Sequence, residues 1–147
     1  MADVLCMSAC GAGASAACRP SASSMTLPRR ALRRRRVRRA WVNGRPIRSD
    51  ASRTRLDAAL VCTDLGYERS TAGVARIAAA HAALLEANTF GIRILGSTVL
   101  SLTWVACGRL NGFYSGLAVR DCPKTWDWCA AHAIGAAAGV KLPPFRC

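Results

Sequence analysis

The sequence predicts an α/β domain preceded by a disordered basic leader, the two meeting near residue 39. Three observations carry this expectation. Residues 91–139 read as strand, helix, strand, helix; residues 56–87 read as an apolar strand followed by an amphipathic helix; and most of the positive charge lies in the first third, where no apolar period exists to build a core.

The leader comes first. Residues 1–24 are mostly Ala, Ser, Gly and Cys, and residues 28–39 form an arginine block. The chain of 147 residues has a formal charge of +13, and residues 1–55 hold 13 Arg against Asp3 and Asp50. Clustered guanidinium groups displace counterions from phosphates, so incidental nucleic-acid binding is expected. A specific nucleic-acid function is not, because aromatics are missing and Leu27, Leu32 and Val37 fall five apart, off any helical stripe. An altered start or reading frame also accounts for the composition of residues 1–39.

At Trp41 the pattern changes. Asn43-Gly44 between two short arms is the preferred two-residue hairpin turn, since both turn positions need positive φ. Pro46 lacks an amide donor, which puts its arm at a sheet edge. Residues 56–63 contain Ala-Ala-Leu-Val-Cys, a continuous apolar run suited to an interior strand. Over residues 71–87, Val74, Ile77, Ala78, His81, Leu84 and Leu85 share one face at helical spacing. His81, and His132 further on, are expected to be satisfied boundary histidines rather than catalytic groups.

Residues 91–95 are Ile-rich and end at Gly96, as a buried strand closing on a turn does. Gly96, Ser97 and Thr98 supply that turn and an N-cap hydroxyl. Residues 99–107 are apolar on nearly every face until Gly108 offers a left-handed stop, so this helix is buried on more than one side. Residues 110–114 give a further strand. Residues 125–138 give a last helix whose small residues Ala130, Ala131, Ala133 and Ala137 allow close packing.

The eight cysteines form no Cys-x-x-Cys pair and have no histidine at zinc-finger spacing, so sulfur-based metal binding is not expected. Cys62, Cys107 and Cys129 sit in apolar runs, where thiols act as small buried hydrophobes, and a reducing compartment fits them. No uninterrupted apolar run reaches the ~18 residues that span a bilayer. A soluble cytoplasmic protein without a membrane partner is expected, the Ser- and Arg-rich leader offering an organellar alternative.

Two groups of residues are placed for chemistry. Asp127 falls in the first turn of the last helix, where the helix dipole stabilises a carboxylate whatever the protein does. Gly96, Ser97 and Thr98 suit an ordinary strand-to-helix turn, or a helix N-terminus aimed at an anion or sugar hydroxyl.

The segment GIRILGSTVLSLTWVACGRLNGFYSG, followed by TWDWCAAHAIGAAAG, resembles the C-terminal half of the inositol monophosphatase family. The shared features are a strand ending in Gly-Ser, an apolar helix ending in Ala-x-Gly-Arg, an aromatic strand, and Trp-Asp opening a small-residue helix. AWVNGRPIRSDAS resembles the family hairpin, and Gly66-Tyr67 closes a matching Ala-Leu-Val strand, so the resemblance covers about residues 40–142.

The resemblance implies the C-terminal half of a layered α-β-α-β-α fold and a phosphomonoesterase dependent on magnesium (Mg2+). It implies that Asp127 is a metal ligand that also faces the substrate, and that Gly96, Ser97 and Thr98 contact substrate. Inositol monophosphate is the first substrate implied, with histidinol phosphate or another small phosphate monoester as alternatives. Two departures bear on mechanism. Ser115 follows Phe113-Tyr114, where family members acting on inositol phosphate commonly carry glutamate. The family's N-terminal metal motif, Asp-Pro-(Ile/Leu)-Asp-Gly-Thr, has no counterpart among the eight acids. Catalytic residues are therefore not identifiable, and the competing expectation is a non-catalytic truncated product, pseudoenzyme or interaction protein. With half of the fold unmatched, apolar faces are expected to drive self-association into homo-oligomers.

Overall fold

The computed structural model describes residues 25–27, 30–35 and 39–142. Within them lie two sheets and three helices. Strands β1 (Met25–Leu27), β2 (Arg30–Arg35), β3 (Arg39–Val42) and β4 (Arg45–Ile47) form an antiparallel sheet in that order. The β3–β4 turn is the expected one, with Asn43 at φ 50° and Gly44 at φ 77°. β4 is an edge strand, as Pro46 requires. The leader was expected to lack fixed structure. Most of it lies outside the described residues, while β1 and β2 within it are paired through to β3.

The second sheet is parallel, with β5 (Leu60–Thr63) between β6 (Gly91–Ile94) and β7 (Gly112–Tyr114). Helix α1 (Thr71–Glu86) connects β5 to β6, α2 (Thr98–Ala106) connects β6 to β7, and α3 (Thr125–Ala138) follows β7. Strand side chains alternate, so each face of this sheet meets a different layer. Cys62 and Phe113 enter a core with Leu102, Val105, Ala106, Ala131, Ile134 and Ala138 of α2 and α3. Val61 and Tyr114 turn the other way, onto Ile77, Ala80 and Leu84 of α1. Ala40 of β3 is fully buried in the first core. The layers therefore run α1, parallel sheet, α2 with α3, antiparallel sheet, an α/β architecture.

Helix α2 buries Ser101, Leu102, Thr103, Val105 and Ala106, which cover most of its circumference as the sequence pattern requires. Its buried hydroxyls are satisfied within the helix, Ser101 Oγ donating to Ser97 O at 2.9 Å and Thr103 Oγ1 to Leu100 O at 2.9 Å. Gly108 ends the helix in the left-handed region, at φ 72°. Asn111 then fixes where β7 starts. Its amide donates to Leu60 O at 2.8 Å, its Oδ1 accepts from Leu60 N at 2.9 Å, and its Nδ2 donates to Asp50 at 3.1 Å.

Two expectations change. The apolar face of α1 is only partly covered, because Ile77 and Leu84 pack while Val74 and Leu85 are exposed. Cys129, expected as a buried thiol, is disulfide-bonded.

Candidate functional site

The carboxyl ends of the three parallel strands point the same way, and the residues that leave them meet at one pocket of about 780 Å³. Asp64 immediately follows β5, Ser115 immediately follows β7, and Gly96 lies two residues beyond β6. All three line the pocket, together with Ser97, Thr98 and Asp127 at the starts of α2 and α3. Crevices at the carboxyl ends of such strands are where open α/β sheets receive ligands.

The four residues singled out in the sequence thus come from two segments and converge. Their polar groups are differently engaged. Ser97 caps α2, its Oγ accepting from Leu100 N at 3.3 Å. Its amide donates to Asp64 Oδ1 at 3.2 Å, and Thr98 Oγ1 donates to Asp64 Oδ2 at 3.0 Å. Ser101 Oγ adds a 3.4 Å contact to the same carboxylate. Burial pushes the Asp64 carboxyl above its ordinary range, against these hydrogen bonds, which favour the charged form. Asp127 caps α3 in a reciprocal pair: its Oδ2 accepts from Lys124 N at 2.8 Å, while its amide donates to Lys124 O at 2.9 Å.

The remaining lining is mixed. Asp121 is 5% exposed and its Oδ1 accepts from Gly66 N at 2.7 Å. Arg69, Arg120 and Lys124 are exposed cations on the same pocket. Ser115 is 1% exposed and its hydroxyl has no hydrogen-bond partner. Neither histidine lines the pocket; His81 Nδ1 sits 2.7 Å from Ile77 O and its ring meets Tyr114 edge-on, while its Nε2 is buried without a hydrogen-bond partner, so the histidine expected to be satisfied is satisfied at one nitrogen only.

Among the described residues, no three His, Cys, Asp or Glu side chains gather to hold a metal ion. A magnesium ion takes about six oxygen ligands. Asp127 offers one carboxylate already partly used as a cap, Asp64 accepts from an amide and two hydroxyls and Asp121 from one amide, and the three do not gather into a ligand cluster, so these residues do not form a magnesium site by themselves.

Sequence reasoning passed over Asp64, Arg69, Arg120 and Lys124. For Asp64 a signal existed: an acid directly after a buried apolar strand stands at the ligand-binding edge of a parallel sheet. For the cations there was none, since exposed Arg and Lys are common on any surface.

The inositol monophosphatase family model matches residues 20–145, beginning well before the hairpin where the motifs start. The chain is 35% identical to human inositol monophosphatase 2 over 106 residues, covering 71% of this chain and 34% of that protein. It is 31% identical to a Dictyostelium discoideum inositol monophosphatase over 107 residues, covering 71% and 37%. The solved structure of inositol monophosphatase from Anabaena superposes with a TM-score of 0.63 at 29% identity, covering 75% of this chain and 42% of that one. The chain thus spans about a third of the length of the curated relatives it matches. With a family match over most of the sequence and the same fold in solved relatives, this chain belongs to the inositol monophosphatase family.

Proposed function

We propose that the chain carries the substrate-facing part of a magnesium-dependent phosphomonoesterase acting on a small phosphorylated substrate, inositol monophosphate first. The observation that supports this reading is the convergence of Gly96, Ser97, Thr98 and Asp127 on one pocket at the carboxyl ends of β5, β6 and β7. In it Asp127 contributes a carboxylate oxygen beside the substrate, and the Gly96–Thr98 turn shapes the wall against which the alcohol part of the ester rests. Phosphate ester cleavage needs the leaving oxygen neutralised and a water activated. The described residues lack the ligands for an ion that would do either, so turnover requires carboxylates from beyond them.

The test measures magnesium-dependent phosphate release from inositol monophosphate by three samples: this chain alone, this chain with the N-terminal portion of a family member, and the same mixture with Asp127→Asn. Release is expected only from the second. Robust release by the chain alone would overturn the incomplete-site argument, and unchanged release by the complemented variant would remove Asp127 from the site. The absence of a metal-ligand cluster among the described residues favours a second reading, a non-catalytic protein of the same fold, which gains if the complemented mixture stays inactive.

A further inference from the structure

The groups in the pocket that recognise anions are not all free to meet a ligand. At the N-terminus of α2, the Ser97 amide and the Thr98 hydroxyl both donate to Asp64. That helix end already holds an anion, and it belongs to the chain. A second anion placed there would meet like charge and find those donors spent.

The unspent groups lie elsewhere in the same pocket. Ser115 is buried to 1% exposure, lines the pocket and has no partner for its hydroxyl. Buried polar groups are normally paired, so an orphan hydroxyl at a pocket wall points to a ligand. Arg69, Arg120 and Lys124 line the same pocket, and the ion pairs found among the described residues, Arg53 with Asp50 and Arg55 with Asp57, include none of them. Arg69 is held by the carbonyls of Gly66 and Glu68, neutral acceptors that leave its charge uncompensated. Of the three carboxylates in the lining, Asp64 and Asp121 are turned to protein donors and Asp127 caps α3.

We propose that the pocket takes a phosphomonoester carrying a second anionic group, received by Ser115 with Arg120 and Lys124, while Asp64 keeps anions from the N-terminus of α2. This rests on the phosphomonoesterase reading and adds the substrate class. Arg120 is positioned for the task because Glu68 Oε2 accepts from its backbone amide at 3.4 Å, fixing the segment while the guanidinium stays exposed.

Two ligand pairs test the proposal by calorimetry on the full chain at fixed ionic strength. 3-Phosphoglycerate against glycerol 3-phosphate adds a carboxylate, and inositol 1,4-bisphosphate against inositol 1-phosphate adds a phosphate. In at least one pair the extra anion is expected to tighten binding by about tenfold, or about 1.4 kcal/mol. Ser115→Ala and Arg120→Ala should each bring that ratio down at least threefold. Arg93→Ala, an exposed arginine outside the lining, should leave it unchanged. Because Arg120 is exposed, its variant keeps the test alive if Ser115→Ala fails to fold. Equal affinities within both pairs would overturn the inference and leave the phosphomonoesterase reading standing. An equal drop with Arg93→Ala would reduce the effect to general charge attraction and overturn the inference. No binding of any of the four ligands would also overturn the inference, while the phosphomonoesterase reading stands or falls by phosphate release from the complemented mixture.

Discussion

Replacing Asp64 by Ala tests the internal-anion argument most directly. The carboxylate accepts from Thr98 Oγ1 at 3.0 Å, Ser97 N at 3.2 Å and Ser101 Oγ at 3.4 Å. Hydrogen bonds to a charged acceptor contribute about 1.5–3 kcal/mol each, and only the two shorter ones fall in the favourable distance range, giving ~3 kcal/mol at the low end. Burial disfavours the charged carboxylate more than these bonds favour it, so its removal returns most of that sum and leaves the cost of an unpaired Ser97 amide and Thr98 hydroxyl. The net loss expected for Asp64→Ala is therefore about 1 kcal/mol, read as a lower urea midpoint at unchanged slope. Asp64→Asn keeps an acceptor for the Ser97 amide and should lose about half as much.

The pH dependence carries its own sign. Burial raises the folded pKa of Asp64 above 3.8, so the folded state binds more protons than the unfolded state between the two values. Stability from this group falls as pH rises through that window, and the penalty of Asp64→Ala should be smaller above it than below it. The variant should also bind inorganic phosphate at the vacated start of α2, visible as a shift of the Ser97 amide resonance. A variant as stable as the parent within about 0.5 kcal/mol, with no phosphate response at Ser97, would refute the reasoning.

Three further outcomes are expected. Glu68 is held down to about 2 from 4.5 by the Ser70 hydroxyl and amide, then the amides of Arg120 and Arg69. Its contribution is thus full above pH 4.5 and lost as pH falls toward 2, and Glu68→Gln should flatten the acid limb of an unfolding profile measured over that range. Gly108→Ala should destabilise by about 2 kcal/mol in chemical denaturation, since φ is +72° and the new Cβ would lie 3.2 Å from Arg48 O and 3.3 Å from Asp50 N. The chain alone should bind a hydrophobic dye and self-associate, because Tyr67, Trp126, Phe90 and Leu85 are 82%, 78%, 66% and 64% exposed. A monodisperse monomer without dye signal in sedimentation and fluorescence would count against it.

What the sequence made legible was local. The β3–β4 turn was readable because Asn43 and Gly44 are residue types that tolerate positive φ, and the end of α2 because Gly108 does. The interior position of β5 followed from an apolar run that only a covered strand accommodates. What stayed hidden depended on partners far along the chain. Asp64 meets Ser97 and Thr98 at separations of 33 and 34 residues, and nothing around Asp64 announces them. The stripe on α1 was readable as apolar, but which part of it finds cover is decided by Val61, Tyr114 and Ile92 on the sheet. β2, Arg-Ala-Leu-Arg-Arg-Arg, shows no alternation of apolar and polar residues, and its pairing to β1 and β3 is made by backbone groups, which any side chain permits.

One regularity links the fold to the ligand it favours. Each of the three helices begins against a carboxylate of this chain. Glu68 accepts from the Ser70 amide at the start of α1 at 2.8 Å, Asp64 from Ser97 and Thr98 at the start of α2, and Asp127 from Lys124 at the start of α3. Helix N-termini gathered at one edge of a parallel sheet would by themselves make that edge attractive to any anion. Three internal carboxylates offset that attraction at the helix ends, leaving Arg69, Arg120 and Lys124 as the positive charge on the pocket. Selection among phosphorylated ligands then rests on side chains that a substitution alters without disturbing the helices, and that is why Arg120→Ala separates recognition from folding where Asp64→Ala changes both.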